Sequence, residues 1–334
     1  MDVPWSTNVS MQKALVQSGH IVVPFNYRTI AASHDAENHG GVFDHLLDKS
    51  ASFFRSDRVP IHARWYYHRN GRGEMNRQLL QTVQSGRFDL ALLCKTDTVN
   101  YDLLLEIQKY CPTWYFFMDP MDQALRMNAA MYAKNATWAS ATFSDVVRHF
   151  KEKGAQAYWI TQGLDVDVFK PCVRTKVQDV AFVGTRTAKR LRCVQEIRRS
   201  GIDIACFGEG WENPPAYQEQ LAEIYQSSRL VLNFCREGRG FSIRVFQVMG
   251  TDSFLLSEHC PDLERFFCAG EHLDWFKNES EAVAKIHRYL ADEPLCQQIA
   301  RRGGDLVRDR FSWGRIMERI MGIAQSAGEI DDHV

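Results

Sequence analysis

The chain has no C-x-x-C pair, no G-x-G-x-x-G, no G-x-S-x-G and no apolar run approaching a membrane span. Each absence excludes a class. Without paired cysteines there is no zinc ribbon and no thioredoxin-like redox motif. Without the glycine fingerprint a dinucleotide oxidoreductase is a distant reading. Without G-x-S-x-G there is no nucleophile elbow, and no Ser-His-Asp arrangement stands out elsewhere. Charge of one sign is also missing: 40 Lys and Arg face 41 Asp and Glu, a net −1. That excludes a nucleic-acid-coating protein and a polybasic membrane surface. The first ten residues, MDVPWSTNVS, have no basic region leading into an apolar stretch, so no signal peptide is expected. No low-complexity segment and no internal repeat occurs.

Nine cysteines are scattered singly, several in apolar segments (Cys94, Cys206, Cys235). This is the usage of a reducing compartment, with buried thiols acting as small hydrophobes, and a cytoplasmic location is expected. Eight tryptophans fit a folded protein with pockets.

A length of 334 residues suggests two domains, each able to bury its own core. The rhythm is strand, helix, strand, helix, which argues for α/β with parallel sheets. Met1–Pro4 reads as the tail of a first strand. A helix fits Val9–Ser18, ended by Gly19, and His20–Phe25 reads as the next strand. Residues 29–73 are polar and read as helix fragments and long loops. Then come a helix at Glu74–Ser85, a buried strand at Phe88–Cys94, a helix at Tyr101–Tyr110 and a strand at Thr113–Met118. A helix follows over Met121–Asn135, then a strand at Trp138–Phe143, a helix at Asp145–Lys153 and a strand at Ala157–Thr161. Gln162–Val177 reads as an interdomain linker. A second α/β unit opens with Asp179–Gly184, followed by a helix over Lys189–Ser200 and a strand over Ile202–Phe207. Leu306–Ala327 is amphipathic.

The most informative stretch runs from 221 to 257, as helix, strand, Gly-rich loop, helix, strand. The loop Arg236-Glu237-Gly238-Arg239-Gly240 lies between the strand Leu230–Phe234 and a helix beginning near Phe241. It places bare backbone N–H groups and two arginines at a helix N-terminus, where an anion, a diphosphate above all, is favoured. The bland alternative is a Gly-rich surface turn with solvated arginines. Gly184-Thr185-Arg186-Thr187-Ala188-Lys189-Arg190 also follows a strand and opens a helix, at the carboxyl edge of its sheet. It reads either as a second anion contact or as an ordinary βα turn. Arg244 either reaches the phosphate or forms a structural ion pair.

Several of these residues resemble the nucleotide-sugar half of GT-B glycosyltransferases, in particular the CgeB-like branch. The match rests on Leu232-Asn233, on Arg244-Val245-Phe246-Gln247, and on Gly250 with Phe254-Leu255-Leu256. It extends to Gly208-Glu209-Gly210-Trp211 and to the linker residues Gly163, Asp165, Phe169 and Pro171. Gln247 departs from the pattern, since the family carries there a Glu that accepts from the ribose hydroxyls. A second Glu, eight positions earlier in the family, is Arg239 here.

The resemblance implies two Rossmann-like doubly wound domains facing across a cleft, with a C-terminal helix crossing back. The implied bounds are 1–165 for the acceptor domain, 178–308 for the nucleotide-sugar domain and 309–334 for the returning helix. The implied enzyme is a hexosyltransferase-type glycosyltransferase using a nucleotide-sugar, a UDP-sugar first, with closure that excludes water. No cofactor and no metal are expected beyond the donor substrate. Gly184, Thr185, Arg186, Arg190, Gly208, Trp211, Gly238, Arg239, Gly240, Phe241, Ser242, Arg244 and Gln247 are the implied donor contacts. Arg190 and Arg239 are assigned to the leaving diphosphate. Trp211 either covers the base or packs beneath it. Asp119, beside Asp122 at a strand end, is the first choice for a general base or sugar-hydroxyl ligand, and its alternative is a helix N-cap. Lys95 and Asp97 are candidates to line the same place.

The group His34, Asp35, His39, Asp44 and His45 has no metal-cage spacing and reads as solvated loop. Asp165-Val166-Asp167 has the letters of a D-x-D motif but lies in the linker. The acceptor stays open: protein, glycan, lipid-linked sugar, small molecule or modified nucleic acid. The last would need a basic cleft from Arg64, Arg69, Arg72 and Arg77. Two rivals also stay open. One is an epimerase or hydrolase of nucleotide sugars. The other is a scaffold that binds them without turnover.

Overall fold

The computed structural model describes residues 6–36, 70–94, 96, 98–235 and 240–326. Expectations that fall on Met1–Pro4, His39, Asp44, His45, Arg64, Arg69, Lys95, Asp97, Glu237, Gly238 and Arg239 lie outside the described residues, as do the side chains of His34 and Asp35. The chain divides into two compact units. The first takes Met1–Asn8, His20–Thr161 and Met321–Val334, and the second Val9–Gly19 and Gln162–Ile320.

Helix α1 (Thr7–Gln17) is followed by α2 (Tyr27–Ala36) and α3 (Asn70–Ser85). Then come β1 (Ala91–Cys94), α4 (Leu103–Ile107), β2 (Thr113–Phe117), α5 (Met121–Arg126), α6 (Ala129–Asn135), β3 (Trp138–Ala141), α7 (Ser144–Glu152) and β4 (Ala157–Trp159). Strands β1 to β4 pair in parallel in sequence order. Every residue of β2, Thr-Trp-Tyr-Phe-Phe, is buried, as a central strand covered on both faces must be. Tyr115 and Phe117 face α6 and α7 through Tyr132 and Phe150.

Two expectations are corrected here. His20–Phe25 forms no strand, and Ile21 is 97% exposed. Its β-branched residues have the propensity, but no described strand pairs with them, and Pro24 has no N–H to offer a ladder. The helix expected over Met121–Asn135 is two helices, because Asn128 takes the left-handed conformation at φ 52°. Asparagine is among the few residues that tolerate it.

The second unit contains β5 (Gln178–Val183), α8 (Ala188–Arg199), β6 (Ile204–Phe207), α9 (Gln218–Gln226), β7 (Ser228–Asn233), α10 (Arg244–Gly250), β8 (Leu255–Glu258), α11 (Pro261–Glu264) and β9 (Asp274–Phe276). The chain continues into α12 (Glu279–Ala291), α13 (Glu293–Arg310) and α14 (Trp313–Gln325), the second unit ending within α14 at Ile320. The amphipathic C-terminal stretch is thus the end of α13 and all of α14, broken at Phe311 and Ser312. The sheet is parallel, with order β6-β5-β7-β8-β9. One apolar layer gathers Phe182, Leu232 and Leu256 under α8, α12 and α13, and the opposite layer gathers Val183, Val231 and Leu255 with α9 and α10. Local signals fix the helix starts. Thr187 accepts from the Arg190 N–H to cap α8, Asn278 caps α12, and Asp292 followed by Pro294 opens α13.

Helix α1 belongs to this second unit. Its Ser10 hydroxyl donates to Asp165 at 2.9 Å, and Lys13 pairs with Asp167 at 2.5 Å. The letters of the D-x-D motif therefore serve a helix contact.

Candidate functional site

From β5 the chain goes to β6 on one side and then returns to β7 on the other. That reversal leaves a crevice at the carboxyl ends of β5 and β7, the place where parallel α/β sheets take ligands. The described strands of the first sheet run 1-2-3-4 without such a reversal.

Gly184 ends β5 at φ +152°, a conformation L side chains rarely adopt. Gly208 ends β6 at φ +126°, and a Cβ there would stand 2.7 Å from the Gly184 carbonyl oxygen. The two turns touch because both are glycine. Three further bonds tie them: Gly184 N–H to the Phe207 carbonyl at 2.8 Å, Arg186 N–H to the Glu209 carbonyl at 2.9 Å, and the Trp211 indole N–H to the Gly184 carbonyl at 2.8 Å. Trp211 packs edge-on against Phe182 at 5.9 Å.

Two guanidinium groups converge on Gly184 from opposite faces of the sheet. Arg190 Nη1 lies 3.4 Å and Arg244 Nη2 3.3 Å from where a Gly184 Cβ would stand. Arg190 comes from α8, across the ring of Phe182, and donates to the Thr185 carbonyl at 2.7 Å. Arg244 comes from α10, is half-buried, and donates to Asn233 Oδ1 at 3.3 Å. Its other neighbour is the fully buried Tyr225, whose phenol burial pushes up to about 12, an effect the guanidinium opposes. Among the described residues Arg244 makes no ion pair with a carboxylate. A half-buried cation with only neutral partners is poised for an anion.

Gly184, Thr185, Arg186, Arg190, Gly208, Trp211 and Arg244 therefore come together as expected residues of one crevice. Others differ. Helix α10 starts at Arg244 rather than near Phe241, because Phe241 turns inward to pack against Phe246, Phe266 and Phe267. With seven residues, α10 is too short to lend much dipole, so the attraction for an anion rests on the guanidinium groups. Phe241 is 3% exposed and is core. Gly240 is buried, and the Ser242 hydroxyl is buried without a partner among the described residues. Gln247 is half-buried on α10, where the family pattern has a carboxylate.

Lys189, beside Arg190, pairs with Glu258 at the end of β8. Asp119 follows β2 in the first unit, half-buried ahead of α5, whose N-cap position is Pro120. Arg77 pairs with Glu74 on its own helix, Nε to Oε2 at 2.7 Å. The residues sequence reading missed are Tyr225, Asn233 in its role toward Arg244, and Ser257.

Elsewhere, a small cavity of about 40 Å³ lies at the amino end of the second sheet, lined by Lys176, Arg229, Phe254 and Tyr289 among others. Cys268, Glu271 and His272 place metal-capable atoms within 4.8 Å of one another. The His272 Nδ1 there accepts the Cys268 N–H at 3.1 Å. No helix among the described residues is long and apolar enough to cross a membrane.

This fold is that of the GT-B glycosyltransferases. Residues 186–322 match the family model described as "Glycosyl transferase-like". HepE of Anabaena, solved with UDP-glucose, superposes with a TM-score of 0.59 at 13% identity over 75% of this chain and 82% of that one. Sucrose-phosphate synthase from Thermosynechococcus elongatus gives 0.56 at 12% identity, over 76% of this chain and 78% of that one. TarM gives 0.56 at 8% identity, over 75% of this chain and only 58% of TarM's length. No curated protein matches the sequence.

Proposed function

We propose that the chain transfers a sugar from a nucleoside-diphosphate sugar, a UDP-sugar first, to an acceptor hydroxyl. The observation that carries this is the convergence of Arg190 and Arg244 on Gly184 at the reversal of strand order. In the reaction the bond from the anomeric carbon to the β-phosphate oxygen breaks, and its electron pair leaves on the diphosphate. The acceptor oxygen forms the new bond and gives up its proton. Charge grows on the leaving oxygen, and guanidinium groups already aimed there lower the barrier without reorganising. Because the attraction comes from arginine, the diphosphate is bound tightly before transfer as well as stabilised during it.

HepE, of the same fold, is solved with UDP-glucose, which supports uracil as the first base to test. Trp211, Gly208 and Gly210 form the wall beside the crevice. Asp119 is assigned to the acceptor hydroxyl, as its hydrogen-bond acceptor or base.

The test is calorimetric titration with UDP and with uridine. The expected result is UDP binding at least tenfold tighter than uridine, with the difference abolished in Arg190→Ala/Arg244→Ala. Equal binding of the two in the wild-type chain contradicts the assignment. Incubation with UDP-glucose then separates transfer from the rivals: UDP released only with an acceptor marks a transferase.

A further inference from the structure

Arg244 is held from behind by a row of buried polar groups, with the Cys235 thiol also donating to the Glu258 carbonyl at its far end. Asn233, at the end of β7, is 0% exposed, as is Ser257 on β8. The strand register sets them side by side. The Asn233 amide donates from Nδ2 to Ser257 Oγ at 2.9 Å. The Ser257 hydroxyl in turn donates to the Glu258 carbonyl at 3.0 Å, so it can only accept from Asn233. That fixes the amide: its nitrogen faces Ser257, and its Oδ1 faces Arg244, which only donates. The row runs one way, from guanidinium to amide to hydroxyl to carbonyl. All of its members are neutral except Arg244.

We infer that Asn233 and Ser257 are positioning residues that aim the Arg244 guanidinium at Gly184 and so set how tightly the site holds a diphosphate. The inference rests on the reading of Arg244 given above. An amide suits this task better than a carboxylate. Aspartate at 233 would hold the guanidinium more firmly but cancel the charge the ligand needs, and it would lack the N–H that Ser257 accepts. Alanine would leave Arg244 free to leave the crevice. Uridine carries no phosphate and does not need Arg244, so its binding reports the rest of the site.

The experiment is a double-mutant cycle on UDP and uridine affinity, read by calorimetry. Asn233→Ala is expected to weaken UDP about tenfold, the scale of one charge-assisted contact, and to leave uridine unchanged. Ser257→Ala is expected to act in the same direction and by less. Asn233→Asp is expected to weaken UDP more than Asn233→Ala. In an Arg244→Ala background neither alanine variant should cost anything further. Should Asn233→Ala fail to fold, Ser257→Ala carries the same comparison.

The inference is overturned if the variants weaken UDP and uridine alike, or weaken UDP equally with and without Arg244. Either result marks a purely structural row. If Arg244→Ala itself leaves UDP affinity unchanged, the diphosphate assignment of Arg244 falls, and this inference falls with it.

Discussion

Gly184→Ala is the substitution with the most specific expected outcome. The residue sits at φ +152°, and holding a non-glycine residue in such a region costs about 1–3 kcal/mol. The new methyl would stand 3.2 Å from Phe182 Cζ, 3.3 Å from Arg244 Nη2 and 3.4 Å from Arg190 Nη1. Phe182 is fully buried and has little room to move. The two arginine ends are flexible and will swing aside, so the crowding adds little to the stability loss but separates the guanidinium groups. With roughly 2–4 °C of melting temperature per kcal/mol for a domain of this size, a fall on the order of 5 °C is expected. UDP affinity should fall at least tenfold, while uridine affinity changes less. Differential scanning calorimetry and titration on one preparation give both numbers. A lowered melting temperature with unchanged UDP affinity refutes the claim that the arginines must meet at Gly184. An unchanged melting temperature refutes the strain argument as well.

Other outcomes follow from the same geometry. Arg190→Ala and Arg244→Ala should each reduce the rise in melting temperature that UDP produces, since ligand stabilisation follows the logarithm of occupancy. Thiol titration of the native chain should show Cys172 and Cys268 reacting fast, Cys94 more slowly, and the six buried cysteines only after denaturant. Burial pushes Cys193, Cys206 and Cys296 from the ordinary 9.0 up to about 12, and Tyr225 from 10.0 up to about 12. The unfolded chain loses these protons first, so this stability is fully present below the ordinary values and is lost as pH climbs toward 12. Melting curves across that alkaline range should show a steady fall, and a flat profile contradicts it. Trp211→Phe keeps the packing on Phe182 but removes the bond to the Gly184 carbonyl, and about 1 kcal/mol of stability should be lost in denaturant unfolding.

The sheets were legible because parallel strands buried on both faces read as continuous apolar runs, Thr113–Phe117 and residues 180–183 among them. The turn at Gly184 was legible for a related reason, as a strand followed by small and basic residues at the start of a helix. Single-residue backbone choices were not: nothing in the letters around Asn128 announces that this asparagine breaks a helix. His20–Phe25 has strand composition, but whether a strand forms depends on a neighbour that composition cannot supply.

The start of α10 was misplaced because Phe241 answers to an aromatic cluster made partly by Phe266 and Phe267, residues far along the chain. The hold on Arg244 was illegible for the same reason. Asn233 and Ser257 are 24 residues apart and meet only through the β7–β8 register. Motifs report what one loop carries, whereas this site is assembled by strand pairing.

The central claim is that Arg190 and Arg244 grip a diphosphate at Gly184. A crystal structure with UDP bound tests it most directly. The account predicts the β-phosphate within hydrogen-bond distance of both guanidinium groups, beside the carboxyl ends of β5 and β7. UDP settled elsewhere on the second unit, with those two arginines turned away from it, would contradict it.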